Sequence, residues 1–271
     1  MPVHDWTRVS AGTFHDFHSA WIVEIRNALN TGVLPPDYYA MAEQVAGEVG
    51  PDVLALQARP QNGQPDAEEP QGAIAVIAAG TGLGEAALMW NGRRYQAVAS
   101  EGGHADFAPR NELEIELLRY LAKQFGHVSY ERILSGPGKV SLYQFLRERR
   151  HGEEPPWLTA LLAGGDPSPV ISEMALNGRS ELCAQALRLF VSIYGAEAGN
   201  LALKYLARGG VYVGGGIAPT ILPLLQDGAF TRAFADKGRL SALLSDIPIR
   251  VILEERTALF GAAYYGLARA S

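Results

Sequence analysis

Two apolar runs that end in clustered glycines constrain this chain most. Residues 73–79 read AIAVIAA and lead into Gly80-Thr81-Gly82-Leu83-Gly84. Residues 209–219 read GGVYVGGGIAP. Each reads as a short buried strand that turns through glycines. The second turn is expected to open a helix begun by Pro219. Glycine tolerates positive φ and lets backbone N–H groups approach an anion closely. Gly80, Thr81 and Gly82 therefore suit a phosphate, although a glycine-rich turn that binds nothing has the same appearance. Gly214, Gly215, Gly216 and Ile217 suit a flat adenosine lying on backbone, or a plain strand-to-helix turn. Neither is a Walker A loop, because GxxxxGK[ST] is absent.

The runs between them fit an α/β layer. EAALMW at 85–90 and YQAVAS at 95–100 flank Asn91-Gly92, a hairpin signal. Helices are expected at 111–125, 139–150, 168–178 and 181–207. IRVILE at 249–254 reads as a strand, followed by a helix from about Thr257. A strand hairpin first and helices later is an α/β lobe pattern.

Upstream, Phe14, Phe17, Trp21, Ile25 and Leu29 mark an amphipathic helix over 13–30, ended by Gly32. LPPDYY at 34–39 breaks the chain, and VLALQ at 53–57 suits a short strand. Residues 58–71, ARPQNGQPDAEEPQ, have linker composition. The expected organisation is a small α+β segment over 1–57, a linker over 58–71 and a lobe over 72–271.

A net charge of −6 and a pI near 5.6 argue against a nucleic-acid partner. The one cysteine, Cys183, excludes an intrachain disulfide and a Cys-built zinc site. No signal peptide and no apolar run of about 18 residues is read, so a cytoplasmic location without a membrane partner is expected.

Three ordered motifs carry a resemblance: AAGTGLGEAAL at 78–88, SEGGHADFAPR at 100–110 and GHVSYERILSGPG at 126–138. With NLALKYLARGGVYVGGGIAP at 200–219 and IPIRVILEERTALFGAA at 247–263, the text from about Gln64 onward resembles the large lobe of bacterial glucokinases. Those enzymes have an actin-like ATPase (ribonuclease H-like) fold. The single cysteine points to the zinc-free group. Lys139-Val140-Ser141-Leu142-Tyr143 departs from the family's usual LxNLY.

The resemblance implies phosphorylation of D-glucose by ATP, with Mg²⁺ on the phosphates, and leaves a homodimer open. By motif match it assigns Gly80, Thr81 and Gly82 to the second phosphate loop. Gly215, Gly216 and Ile217 fall on the adenosine side. Glu101, His104 and Glu131 fall on the sugar hydroxyls. Carboxylates accept from hydroxyls and imidazole donates or accepts, so these residue types suit that task. Without the resemblance, a surface turn and a solvated helix charge are the better explanation.

The family's first phosphate loop, Asp-x-Gly-Gly-Thr, and its catalytic base, in an Asn-Asp-Phe segment, have no match in the sequence. His15-Asp16-Phe17 is the nearest text, which makes Asp16 a remote substitute base. The expectation is slow or absent turnover by this chain, with a non-catalytic sugar or nucleotide binder, or an interaction scaffold, as the alternative. Residues 1–57 resemble the start of a family of uncharacterised bacterial proteins thought distantly nuclease-like. His4, Asp5, His15, Asp16 and His18 there could suggest a metal, but a polar face beside an aromatic core stripe explains them better. No metal site is assigned.

Overall fold

The computed structural model describes residues 53–55, 71–149, 151–254, 256–258 and 261. The helix expected over 13–30, Asp16, most of the 58–71 linker and nearly all of the helix expected from Thr257 fall outside them.

A mixed sheet forms the frame. Its strands are β1 (Val53–Ala55), β2 (Ile74–Ala79), β3 (Leu83–Trp90), β4 (Tyr95–Ser100), β5 (Val211–Gly214) and β6 (Ile249–Ile252). Their spatial order is β1-β6-β5-β2-β3-β4. β2, β3 and β4 form an antiparallel meander, while β5 and β6 join it parallel to β2. All six residues of β2 are buried, as expected for a central strand covered on both faces. The Asn91-Gly92 hairpin forms where the sequence placed it. The Asn91 side-chain oxygen accepts from the backbone N–H of Arg93 and of Arg94, both at 3.0 Å.

A parallel neighbour needs a long crossover. Here the crossover from β4 to β5 holds five helices: α1 (Glu112–Phe125), α2 (Gly136–Glu148), α3 (Pro156–Ala163), α4 (Pro167–Leu176) and α5 (Glu181–Tyr205). The last spans 25 residues and carries buried side chains around most of its circumference, as a helix inside a core should. It lies against β2 on one side and α8 (Ala229–Ala235) on the other. Gly195 and Gly199 set the second approach, since a Cβ at either would overlap the carbonyl of Phe230 or Phe234.

Several element ends fall one to three residues from expectation, and three of the starts have a local cause. α2 starts at Gly136 rather than 139, because Ser135 caps it and accepts from Gly138 N–H at 3.0 Å. Pro137 in that first turn sacrifices no hydrogen bond. α6 (Ile217–Thr220), which α7 (Leu222–Leu225) follows, begins before Pro219, which again sits where no N–H partner is required. β3 starts at Leu83, two residues early, so the glycine turn between β2 and β3 is very tight. α3 and α8 had no sequence expectation, being short and proline-flanked or Ala-rich.

β1 falls at 53–55, within the short strand read at 53–57. It pairs antiparallel with β6, Val53 opposite Ile252, and so edges the lobe's own sheet.

Candidate active site

The two glycine turns meet at the ends of neighbouring parallel strands. Ala78 pairs with Gly214 across β2 and β5, so the turn after Ala79 and the turn at Gly215 follow on side by side. Gly80 N–H donates to Gly82 O at 2.8 Å, closing the first turn. Gly215 has φ +82°, and a Cβ there would overlap Ala79. Only glycine allows both the left-handed backbone and this contact. By contrast, a Cβ added at Gly80 or Gly216 would meet nothing within 4 Å. Both turns thus border open space on one edge of the sheet, at the carboxyl ends of parallel strands where α/β folds place ligands.

A tyrosine fixes both strand ends. Tyr194 of α5 is fully buried, and its hydroxyl accepts from Ala79 N–H at 3.2 Å. Its own hydrogen faces the carbonyls of Ile77 and Gly214, at 3.3 and 3.4 Å. The N-terminus of α2 is consumed structurally. Gly136 N–H donates to Gly80 O at 2.8 Å, Pro137 has no N–H, and Gly138 N–H is capped by Ser135. This helix end therefore braces the phosphate-loop candidate and offers no free donors in its first turn.

Glu101, His104 and Glu131 lie on two turns stitched together. Residues 102–104 form a 3₁₀ turn headed by Glu101, with His104 N–H donating to Glu101 O at 2.9 Å. Gly103 must be small, because a Cβ would overlap Leu83 O. Phe107 N–H donates to Val128 O at 2.9 Å and Tyr130 N–H to Ala105 O at 3.1 Å. These bonds pull the 126–132 segment onto the 101–107 segment. His104 Nε2 and Glu131 Oε1 end 3.8 Å apart. Glu131 Oε2 accepts from Leu83 N–H at 2.9 Å, and its carbonyl accepts from Ser135 Oγ at 2.8 Å. The Glu131 carboxylate is thereby tied to the first residue of β3, directly after the Gly80–Gly82 turn. The His104 and Glu131 side chains stay 52% and 22% exposed, open to a ligand.

A buried polar cluster under these turns was not read from the sequence. Glu85 of β3 is 1% exposed, and no N–H or O–H donor reaches its carboxyl oxygens; only the Glu197 carboxyl lies within hydrogen-bonding range, which a protonated Glu85 can use. Burial and the neighbouring Glu197 carboxylate push its pKa up to about 8, against a smaller opposing pull from Lys204. Glu197 is also buried, but its oxygens accept from Asn200 at 2.8 Å and Lys204 at 3.2 Å. Asn200 also donates to the Tyr130 hydroxyl and accepts from Lys237. A second missed group is Lys139, buried and donating to Ser172 Oγ at 2.7 Å and Ser168 O at 3.2 Å. Desolvation lowers its pKa to about 8. An acid inside the strand text EAALMW was the available signal for Glu85. The LxNLY departure was the signal for Lys139.

Among the described residues, no three His, Cys, Asp or Glu side chains group as a metal site. No described helix is long and apolar enough to cross a membrane.

A mixed sheet with glycine turns at adjacent strand ends, crossed by a long buried helix, is the actin-like ATPase fold of sugar kinases. A crystal structure of glucokinase from an Antarctic psychrotroph superposes with a TM-score of 0.70 at 29% identity, covering 92% of this chain and 66% of that one. The glucokinase family model matches residues 24–269. The glucokinase of Nostoc sp. is 45% identical over 240 residues, covering 84% of this chain and 68% of that protein. That of Synechocystis sp. is 43% identical over 241 residues, covering 84% and 66%. The chain belongs to the glucokinase family and spans about two thirds of the length of these relatives.

Proposed function

We propose that this chain supplies the glucose- and nucleotide-binding lobe of an ATP:D-glucose 6-phosphotransferase. Glu101, His104 and Glu131 take the sugar hydroxyls. Gly80, Thr81 and Gly82 take the ATP phosphates, and Gly215, Gly216 and Ile217 lie against the adenosine. One observation carries the reading: Glu131 is bonded to Leu83, so a sugar on Glu131 sits beside the turn assigned to phosphate. That adjacency is what in-line phosphoryl transfer to a sugar hydroxyl needs. Mg²⁺ neutralises the phosphates in this chemistry, and no residue is assigned to it. The lobe is taken to run over 72–271, with β1 lending an edge strand, and its place of action is taken as the cytoplasm. A homodimer is compatible with this reading, and nothing in the site requires one.

No Asp-x-Gly-Gly-Thr turn and no Asn-Asp-Phe base occur in the sequence. Losing a general base alone costs about 10²–10⁴ in rate. A coupled assay of glucose 6-phosphate formation by the purified chain is therefore expected to show turnover far below the ordinary enzyme value of about 10 s⁻¹. Binding without turnover is the second reading, favoured by the absence of those two motifs. Turnover near about 10 s⁻¹ would refute it and make Asp16 the first residue to mutate.

A further inference from the structure

Glu85 is the residue the reaction leaves unexplained. It is an acid at the heart of β3, opposite Ser100 of β4 in register. Ser100 Oγ in turn accepts from Gly102 N–H at 2.9 Å. The Glu85 carboxyl lies directly under Gly102, where a Cβ would overlap it. The floor of the Glu101–His104 turn is therefore a carboxyl group that no protein donor reaches and whose hydrogen-bonding neighbour is another carboxyl, Glu197. A buried carboxylate in that position is costly, whereas a neutral carboxylic acid is tolerable.

The groups on the elements around it fix which form is held. From α5 come Tyr194, Glu197 and Lys204, and from the turns above come Glu101, His104, Tyr130 and Glu131. Glu197 is the dominant charged neighbour and opposes a second negative charge, while Lys204 favours one more weakly and is already bonded to Glu197. Tyr194 is kept un-ionised by full burial and has its hydroxyl committed to Ala79. Tyr130 is likewise held neutral by burial and Glu197. Glu101 and His104 sit on the exposed side of the turn.

We propose that Glu85 is a positioning residue for the sugar turn: it is held as the neutral acid beside the buried Glu197, and loss of that proton displaces Gly102 and weakens glucose binding. The proposal rests on the assignment of glucose to Glu101, His104 and Glu131. Above the transition, two like charges lie buried beneath one turn, and the turn is the movable part. One linked proton allows Kd to rise by up to about tenfold per pH unit on the alkaline side.

The test measures D-glucose affinity by calorimetry from neutral to alkaline pH for the wild type, Glu85→Gln and Glu197→Gln. Infrared difference spectra of the same proteins follow the protonated-carboxyl carbonyl stretch and need no sugar. Expected are a wild-type Kd that rises through the alkaline range, a flat Kd in Glu85→Gln, and a transition displaced to lower pH in Glu197→Gln, where the opposing charge is gone and Lys204 remains. The carbonyl band should be present at neutral pH in the wild type and missing from Glu85→Gln. If Glu85→Gln does not fold, the band and its displacement in Glu197→Gln decide. Identical pH profiles in the wild type and Glu85→Gln, or no protonated-carboxyl band at neutral pH, overturn the proposal while leaving the glucose assignment standing. Absence of glucose binding at every pH, with the band present, overturns the glucose assignment instead.

Discussion

Replacing Glu131 should destabilise the fold as well as the site, and the structure separates the two effects. Glu131 Oε2 is the acceptor for Leu83 N–H, at 2.9 Å, and Leu83 is 2% exposed. In Glu131→Ala that backbone donor loses its partner in a buried place, which costs about 1–3 kcal/mol. The contact to His104 adds little, because it is 3.8 Å long and half exposed. Such pairs contribute at most about 1 kcal/mol. Glu131→Gln keeps an acceptor for Leu83 and loses only charge assistance, so it should cost about 1 kcal/mol. Urea denaturation followed by tryptophan fluorescence gives both numbers. The reasoning fails if Glu131→Ala stays within about 0.5 kcal/mol of the wild type, the range of unremarkable surface changes. It also fails if Gln and Ala are equally costly.

Tyr194→Phe should cost about 1–3 kcal/mol by the same denaturation assay, since Ala79 N–H loses its hydroxyl partner inside the core. ATP analogues should weaken in parallel, because both glycine turns hang from that hydroxyl. Glu85 makes stability pH-dependent. Its folded pKa, near 8, lies above its ordinary 4.5, so the native state holds the extra proton between them. Stability must then fall as pH rises through that window, with a slope of up to about 1.4 kcal/mol per pH unit. Melting curves of the wild type and Glu85→Gln at several pH values should diverge with that sign, and parallel curves would contradict it.

The strands and their glycine turns were legible because apolar runs stop abruptly at glycines, and only short buried strands do that. The pairing of His104 with Glu131 required the family text. Their approach is produced by backbone bonds such as Tyr130 N–H to Ala105 O, which no side-chain pattern encodes. Leu83 as partner of Glu131 was invisible for the same reason. Glu85 was hidden by long-range packing. An acid in a strand reads as solvent-facing until α5, which begins almost a hundred residues later, lands on that face. The start of α2 was missed because Gly-Pro-Gly reads as a turn, whereas Ser135 turns it into a capped first turn. The expectation for residues 53–57 came from local β character alone, and its partner β6 lies near the other end of the chain.

The central claim is that one glucose sits on Glu101, His104 and Glu131, and calorimetric titration of the purified chain with D-glucose tests it most directly. A single saturable site is predicted for the wild type. Glu101→Gln exchanges a charged acceptor for a neutral one and should weaken that site by about 1–1.5 kcal/mol, roughly five- to twelvefold in Kd. No saturable heat from the wild type, or an unchanged Kd in Glu101→Gln, would contradict the account.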